Sequence, residues 1–243
     1  MPPRLYLAQP LRAGEALTLP PGQSRHVQVL RLQAGDALTL FDGGGGEWSA
    51  SVERMGASAV QVRVGEHVAV ERELRFAVTL ALGMPANERM DSLVEKATEL
   101  GAGTIQPLVC ERSVLRLAGE RAHKRVEHWR AVAIAASEQS GRTRVPQIAP
   151  VCSLSQWLRD GVPADARGRF VLSLRDAAPF GKHTYRGPSV FLSGPEGGLS
   201  DTEESAARAA RFMPLSLGAR VLRADTAPLA ILAALSLCPT DIE

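Results

Sequence analysis

The feature that most constrains this chain is a change of hydrophobic period near residue 73. Before it, short alternating runs punctuated by glycine read as strands at Asp36 to Phe41, Glu47 to Val52 and Ala59 to Val64. That half is expected to be a small all-β unit. After it, strand-length apolar runs alternate with segments whose apolar residues recur every three to four positions, the pattern of an α/β domain with a largely parallel sheet. Strands are expected at Phe76 to Leu82, Thr104 to Val109, Gln147 to Val151, Phe170 to Leu174, Val190 to Ser193 and Phe212 to Leu217. Between them, Asn87 caps a helix with Met90, Leu93, Val94, Ala97 and Leu100 on its apolar face, closed by Gly101. Further helices are expected at Glu120 to Glu138, Ser155 to Arg159, Ser200 to Arg211 and Asp225 to Leu237, the third opened by a Ser200/Glu203 capping box. Two domains follow, residues 1–72 and 73–243.

At 243 residues and 45% hydrophobic composition, each part is long enough to bury a core. The 28 basic and 26 acidic side chains leave a net charge of +2, which excludes a uniformly basic nucleic-acid binder. Any such surface must be a local patch. Cys110, Cys152 and Cys238 stand far apart with no CxxC pair, so neither a disulfide framework nor a metal cluster is expected, and a reducing cytoplasm fits. No apolar run reaches the length of a membrane span, and Arg4, Gln9, Arg12 and Glu15 interrupt the start as no signal peptide would allow. Only Lys96, Lys124 and Lys182 are lysine, so arginine must supply nearly all cationic contacts.

The run Asp42-Gly-Gly-Gly-Gly46 sits between two strands, and with no helix start after it reads as a hairpin loop needing positive φ, not a phosphate cradle. Three other segments carry the chemistry. Ser193-Gly-Pro-Glu-Gly-Gly-Leu-Ser200 joins a strand end to a helix start, where open α/β sheets place ligands. Taken alone its Gly-Gly is a sharp turn, but Pro195 lacks an N–H donor and Glu196 adds an anion, so a nucleotide phosphate does not fit. A neutral or cationic ligand such as S-adenosylmethionine, a sulfonium without phosphate, fits better. Leu215 to Ala227 is a second strand-to-helix joint, with Gly218 permitting close backbone approach, Arg220 and Arg223 as cations, and Asp225 or Thr226 as a cap. The third segment, Arg112 to Arg144, holds eight basic against three acidic residues, and its Glu138-Gln-Ser-Gly-Arg142 run followed by Arg144 offers fork-like donors to phosphate or base edges.

In order along the chain stand His26-Val-Gln-Val-Leu-Arg-Leu-Gln-Ala-Gly-Asp36, Glu88-Arg-Met-Asp91, Lys96-Ala-Thr-Glu-Leu-Gly101, Arg112-Ser113, Glu138-Gln-Ser-Gly-Arg142, Gly194-Pro-Glu-Gly-Gly198 and Leu217-Gly-Ala-Arg-Val-Leu-Arg-Ala-Asp-Thr-Ala227. This set closely resembles the RsmE family, bacterial 16S ribosomal RNA methyltransferases of the SPOUT superfamily. The resemblance spans almost the whole chain. It implies a PUA-like β-barrel over residues 1–72, then a SPOUT-type α/β domain over 73–243 with a C-terminal trefoil knot, which no periodicity could reveal. It also implies S-adenosylmethionine as methyl donor, N3 of a uridine in the decoding region of 16S ribosomal RNA as acceptor, and a homodimer with no membrane partner. The cofactor would lie among Leu172, Ser173 and Leu174, the loop Gly194, Pro195, Glu196, Gly197 and Gly198, and the residues Leu217, Gly218, Val221, Leu222 and Thr226. RNA contacts are expected from Arg25, His26, Arg31, Arg112, Gln139, Ser140, Arg142 and Arg144. Where the family commonly has phenylalanine this chain has Leu199, where it has Thr-Glu this chain has Ala224-Asp225, and Met84 to Asn87 lacks a basic residue often found there.

Uracil N3 carries a proton at neutral pH, so its methylation asks for a proton acceptor or for a cation facing the charge that spreads onto O2 and O4. Arg223 or Arg220 is the candidate cation, and Glu196 or Glu138 the candidate acceptor. The residues alone do not choose among them. A protein of another class, a non-catalytic RNA-binding or ribosome assembly factor with a degenerate pocket, is disfavoured by the presence of Gly194, Gly197, Gly198 and Gly218 together.

Overall fold

A computed structural model describes residues 2–86, 88–183 and 185–237; the expected cap Asn87 and the third cysteine, Cys238, lie outside the described residues. The chain divides into two compact units, Met1–Glu73 with Ser137–Val145, and Leu74–Ala136 with Pro146–Glu243.

In the first unit, β1 (Arg4–Tyr6), β2 (Ala16–Thr18), β3 (Ala37–Phe41), β4 (Glu47–Met55) and β5 (Val60–Val68) form one sheet in the order β1-β3-β4-β5-β2. Among the described residues only the β1–β3 pairing of this sheet is parallel. Strict alternation buries Val60, Val62 and Val64 on one face of β5, where they meet Leu5, Leu17, Leu38, Leu40 and Val52. The Asp42 loop is the expected hairpin turn, with positive φ at Gly43, Gly45 and Gly46. The all-β expectation fails at one point, because α1 (Pro21–Val29) interrupts the strands. Two prolines and a glycine hide it in the sequence. Yet proline in a first turn costs no hydrogen bond, and Ser24 anchors the helix by donating to the Leu19 carbonyl (2.9 Å) and accepting from the Val60 N–H (3.1 Å).

In the second unit the strands β6 (Val78–Gly83), β7 (Thr104–Val109), β8 (Gln147–Ile148), β9 (Cys152–Ser153), β10 (Gly168–Leu172), β11 (Ala178–Pro179), β12 (Ser189–Ser193) and β13 (Met213–Ser216) are all parallel. Their order is β11-β13-β10-β12-β6-β7-β8, with β9 also on β7. Every residue of β12 is buried, which explains why it reads as an unbroken apolar run and not an alternating one. The helices are α2 (Glu88–Glu99), α3 (Gly119–Ser140), α4 (Leu154–Asp160), α5 (Asp201–Ala209) and α6 (Thr226–Leu237). Met90, Leu93, Val94 and Ala97 form the buried face of α2 as their spacing predicts, and Asp91 ties α2 to α3 by accepting from Trp129 Nε1 at 2.8 Å. The expected capping box of Ser200 and Glu203 opens α5.

Strand order places the ligand end. β13 lies beyond β10 from β12, yet α6, which follows it, packs against α2 and β12. The chain therefore returns across β10, and the loops after β10, β12 and β13 converge at the carboxyl ends of their strands. Backbone contact holds them there: a β-carbon on Gly83, the last residue of β6, would stand 2.6 Å from the nitrogen of Pro195. Gly83→Ala is expected to displace the 194–199 loop and to cost about 1–3 kcal/mol in urea unfolding, the usual range for overpacking; an unchanged midpoint would show that the loop yields freely.

Candidate active site

The converging loops enclose a cavity of about 490 Å3. Leu172, Ser173 and Leu174 line it from the end of β10, Gly194, Pro195, Glu196, Gly197 and Gly198 from the end of β12, and Leu217, Val221 and Leu222 from the end of β13. Of the thirteen expected cofactor residues only Gly218 and Thr226 stand outside its wall. Both shape it instead. Gly218 has a φ of 110° that turns the chain after β13, and Thr226 starts α6 with its N–H on the Arg223 carbonyl at 3.0 Å.

The glycine loop is folded on itself. A β-carbon on Gly194 would stand 2.8 Å from the Leu199 nitrogen, and Gly198, at a φ of 68°, donates its N–H to the Pro195 carbonyl at 2.8 Å. Glu196 Oε1 accepts from the Ala86 N–H at 3.0 Å and from Arg89 at 3.3 Å. Ser173 donates to Glu204 Oε1 at 2.9 Å, and Arg208 binds the same oxygen at 2.8 Å. The wall thus combines apolar leucines and a valine with the carboxylates Glu196 and Glu204 and the guanidinium groups of Arg112, Arg175, Arg220 and Arg223. Arg175 is anchored by Asp201, whose carboxyl that hydrogen bond holds below its usual range.

Sequence reasoning missed Arg175, Leu199, Glu204, Leu215, Ala224 and Ala227 as lining residues, and placed Arg112 on RNA. Most adjoin a recognised motif. Glu204 had no signal of its own, because only the fold turns the residue after the capping-box glutamate toward the end of β10. Cys110 is no nucleophile candidate, since burial, reinforced by the Glu203 charge, pushes its thiol up to about 12. Among the described residues no group of three or more His, Cys, Asp or Glu side chains could hold a metal ion.

Two expectations on the Glu138 to Arg144 run are corrected. Arg142 is only 4% exposed and spends its fork on Glu73, so it presents no donors to a phosphate. Glu138 does not line the cavity. It belongs to the first unit, where it accepts the Tyr6 N–H at 2.8 Å. Arg4 donates to the Arg142 carbonyl at 3.0 Å and Arg72 to the Gly141 carbonyl at 2.9 Å, so this polar run is an internal tie of that unit. The sequence could not reveal this, because its partners lie 69 to 138 positions away. Arg25, His26, Arg31, Gln139 and Arg144 are exposed, and Ser140 is half-buried.

Burial pushes the Glu138 carboxyl above its ordinary value, against the pull of the Tyr6 N–H. A raised carboxyl pKa means that the folded state holds its proton more tightly than the unfolded chain, so stability declines as pH rises through that window. Glu138→Gln, which still accepts from Tyr6, should therefore gain in urea-unfolding stability over the parent at about pH 8 and lose that gain by about pH 4. A difference independent of pH would contradict this assignment.

Fold and cavity define the class. A family model described as the RNA methyltransferase domain matches residues 72–236, and one described as the RNA methyltransferase PUA domain matches residues 19–65. The chain is 34% identical over 235 residues to Ribosomal RNA small subunit methyltransferase E of Synechocystis, covering 95% of this chain and 76% of that protein. It is 31% identical over 220 residues to the protein of the same name from Bacillus subtilis, covering 86% and 85%. The chain belongs to the ribosomal RNA small subunit methyltransferase E family. Among solved structures, that of the Neisseria gonorrhoeae Ribosomal RNA small subunit methyltransferase E bound to S-adenosyl methionine superposes with a TM-score of 0.91 at 34% identity, covering 97% of each chain. A Legionella pneumophila protein in complex with the bound cofactor SAM also gives 0.91, at 33% identity and the same coverage. The architecture is the expected SPOUT-type α/β domain preceded by a PUA-like domain.

Proposed function

We propose that this protein is an S-adenosylmethionine-dependent methyltransferase that methylates N3 of a uridine in 16S ribosomal RNA. The observation that carries the reading is the cavity itself: three loops at the carboxyl ends of parallel strands, a volume of about 490 Å3, and a wall that pairs apolar side chains with a few charged ones. The donor set suits the cofactor. Pro195 removes a phosphate-binding N–H, and the leucines and Val221 offer an apolar wall to a flat base. When bound, S-adenosylmethionine supplies an electrophilic methyl group on a sulfonium.

The chain's own residues position and neutralise. Arg220 and Arg223 are exposed and line the cavity, so they can face the negative charge that spreads onto O2 and O4 as N3 loses its proton and attacks the methyl carbon. Glu196 lines the same cavity, but its Oε1 already accepts from Ala86 and Arg89. Glu138 does not line it, which leaves Glu196 as the proton acceptor of the original pair. Holding N3, the methyl carbon and sulfur in line supplies several kcal/mol, on the order of the gain from orientation in other enzymes.

RNA is read by the first unit through Arg25 and His26 on α1 and Arg31 just after it, and by the exposed Gln139 and Arg144. The small ribosomal subunit in the cytoplasm is the setting for such a substrate. The protein works as a homodimer. Helix α6 is apolar on every side, and Leu237 and Val221 are each 82% exposed in the single chain, surface that a second copy would cover. Light scattering should give twice the chain mass of 26.0 kDa, and a monomer would refute the dimer. The return of the chain across β10 to α6 is the path that a trefoil knot requires.

Methyl transfer to small-subunit RNA, followed by nucleoside mass spectrometry, should yield 3-methyluridine with the parent protein. Arg223→Ala should keep S-adenosylmethionine binding by calorimetry and lose at least about a hundredfold in single-turnover rate, the usual loss for a charge-stabilising donor. Methylation at another atom would overturn the N3 assignment, and an unchanged rate would overturn the role of Arg223.

A further inference from the structure

We propose that Arg112 is a positioning residue that sets the 194–199 loop in its ligand-ready conformation, and is not an RNA contact. The inference rests on the cofactor reading above and names what holds that site open. One Nη1 of Arg112 donates to two carbonyls of the loop, Gly197 at 3.0 Å and Leu199 at 3.2 Å. The peptide groups bearing those carbonyls are also held at their other ends. The N–H of Gly198 donates to the Pro195 carbonyl at 2.8 Å, and the N–H of Ser200 to Glu203 Oε2 at 3.0 Å. The Gly197–Gly198 and Leu199–Ser200 peptide planes are thereby fixed in orientation, with Arg112 holding the carbonyl end of each.

Arg112 is itself mounted on a fixed base. Its neighbour Glu111 donates its N–H to Glu203 Oε1 at 2.8 Å, and buried Ser113 accepts the Cys110 N–H at 2.9 Å while donating its own N–H to the Cys110 carbonyl at 3.1 Å. Glu203 therefore holds both the base of Arg112 and the end of the loop that Arg112 grips. Gly197 suits the fit, because a β-carbon there would stand 3.1 Å from the Cβ of Arg112, a tight contact. On the opposite flank, Glu196 is tied to Ala86 and Arg89 at the start of α2. The loop is gripped from two sides, so ligand binding need not order it, which is the saving that preorganisation brings.

The test separates this role from RNA contact. In Arg112→Ala, calorimetry without RNA should show S-adenosylmethionine affinity reduced by about tenfold, the scale of losing a charged hydrogen bond, with part recovered in Arg112→Lys. RNA affinity and its salt dependence should stay at the parent value. In the ligand-free protein, hydrogen exchange at the Gly198 and Ser200 amides should quicken in Arg112→Ala. Affinity within twofold of the parent, a lower salt slope for RNA, or unchanged exchange would each overturn the proposal. A parent protein that binds no S-adenosylmethionine would instead defeat the cofactor reading, while the exchange measurement would still decide the role of Arg112.

Discussion

The site depends on backbone meeting backbone at the carboxyl ends of β6 and β12. Gly83 and Gly194 have no side chain where the 194–199 loop closes, and distances of 2.6 and 2.8 Å to loop nitrogens leave no room for one. At that contact Pro195 is buried, and the side chain of Glu196 is directed toward Ala86 and Arg89. A glycine is costly in an ordinary strand or turn because of the freedom it loses on folding. Here that cost is offset by a close approach that any other residue would prevent.

Arginine and glutamate are used in two ways that composition cannot separate. Arg4 and Arg142 are turned inward, onto Glu47, Glu73 and the carbonyl of residue 142, and with the exposed Arg72 on Glu47 and the Gly141 carbonyl they make the first unit's tie to residues 137–145. A buried pair of this kind is a weak source of net stability, but removing one partner strands the other charge. Arg220 and Arg223 have no such burial and line the cavity. The local excess of positive charge between Arg112 and Arg144 is therefore shared among a loop clasp, surface pairs such as Lys124 with Glu120, and an internal tie.

Legibility in the sequence followed the range of the interactions. The buried stripe of α2, the capping box of α5 and the positive-φ hairpin at Gly43 to Gly46 are made by residues within a few positions of one another, and each was readable. Helix α1 was not, since prolines and a glycine oppose it locally and its hold on the sheet comes through Ser24 to Val60, 36 positions on. The gathering of Leu172, Gly194 and Leu217 into one wall could be foreseen because each ends a strand of one parallel sheet. Glu204 could not, because its place depends on how α5 lies against Ser173.

By itself the sequence determined the longer strands and most of the helices, where the period changes, and which loops end in glycine, because those properties come from side-chain spacing and local backbone freedom. Only the tertiary structure decided what each charged residue does. Arg112 grips a loop 85 to 87 positions away, Arg142 is sealed against Glu73, and Glu138 serves Tyr6 and not the cavity. A guanidinium or carboxylate has the same chemistry wherever it stands in the chain. Its function is set by which partners the fold brings within about 3 Å and by how much water is left around them.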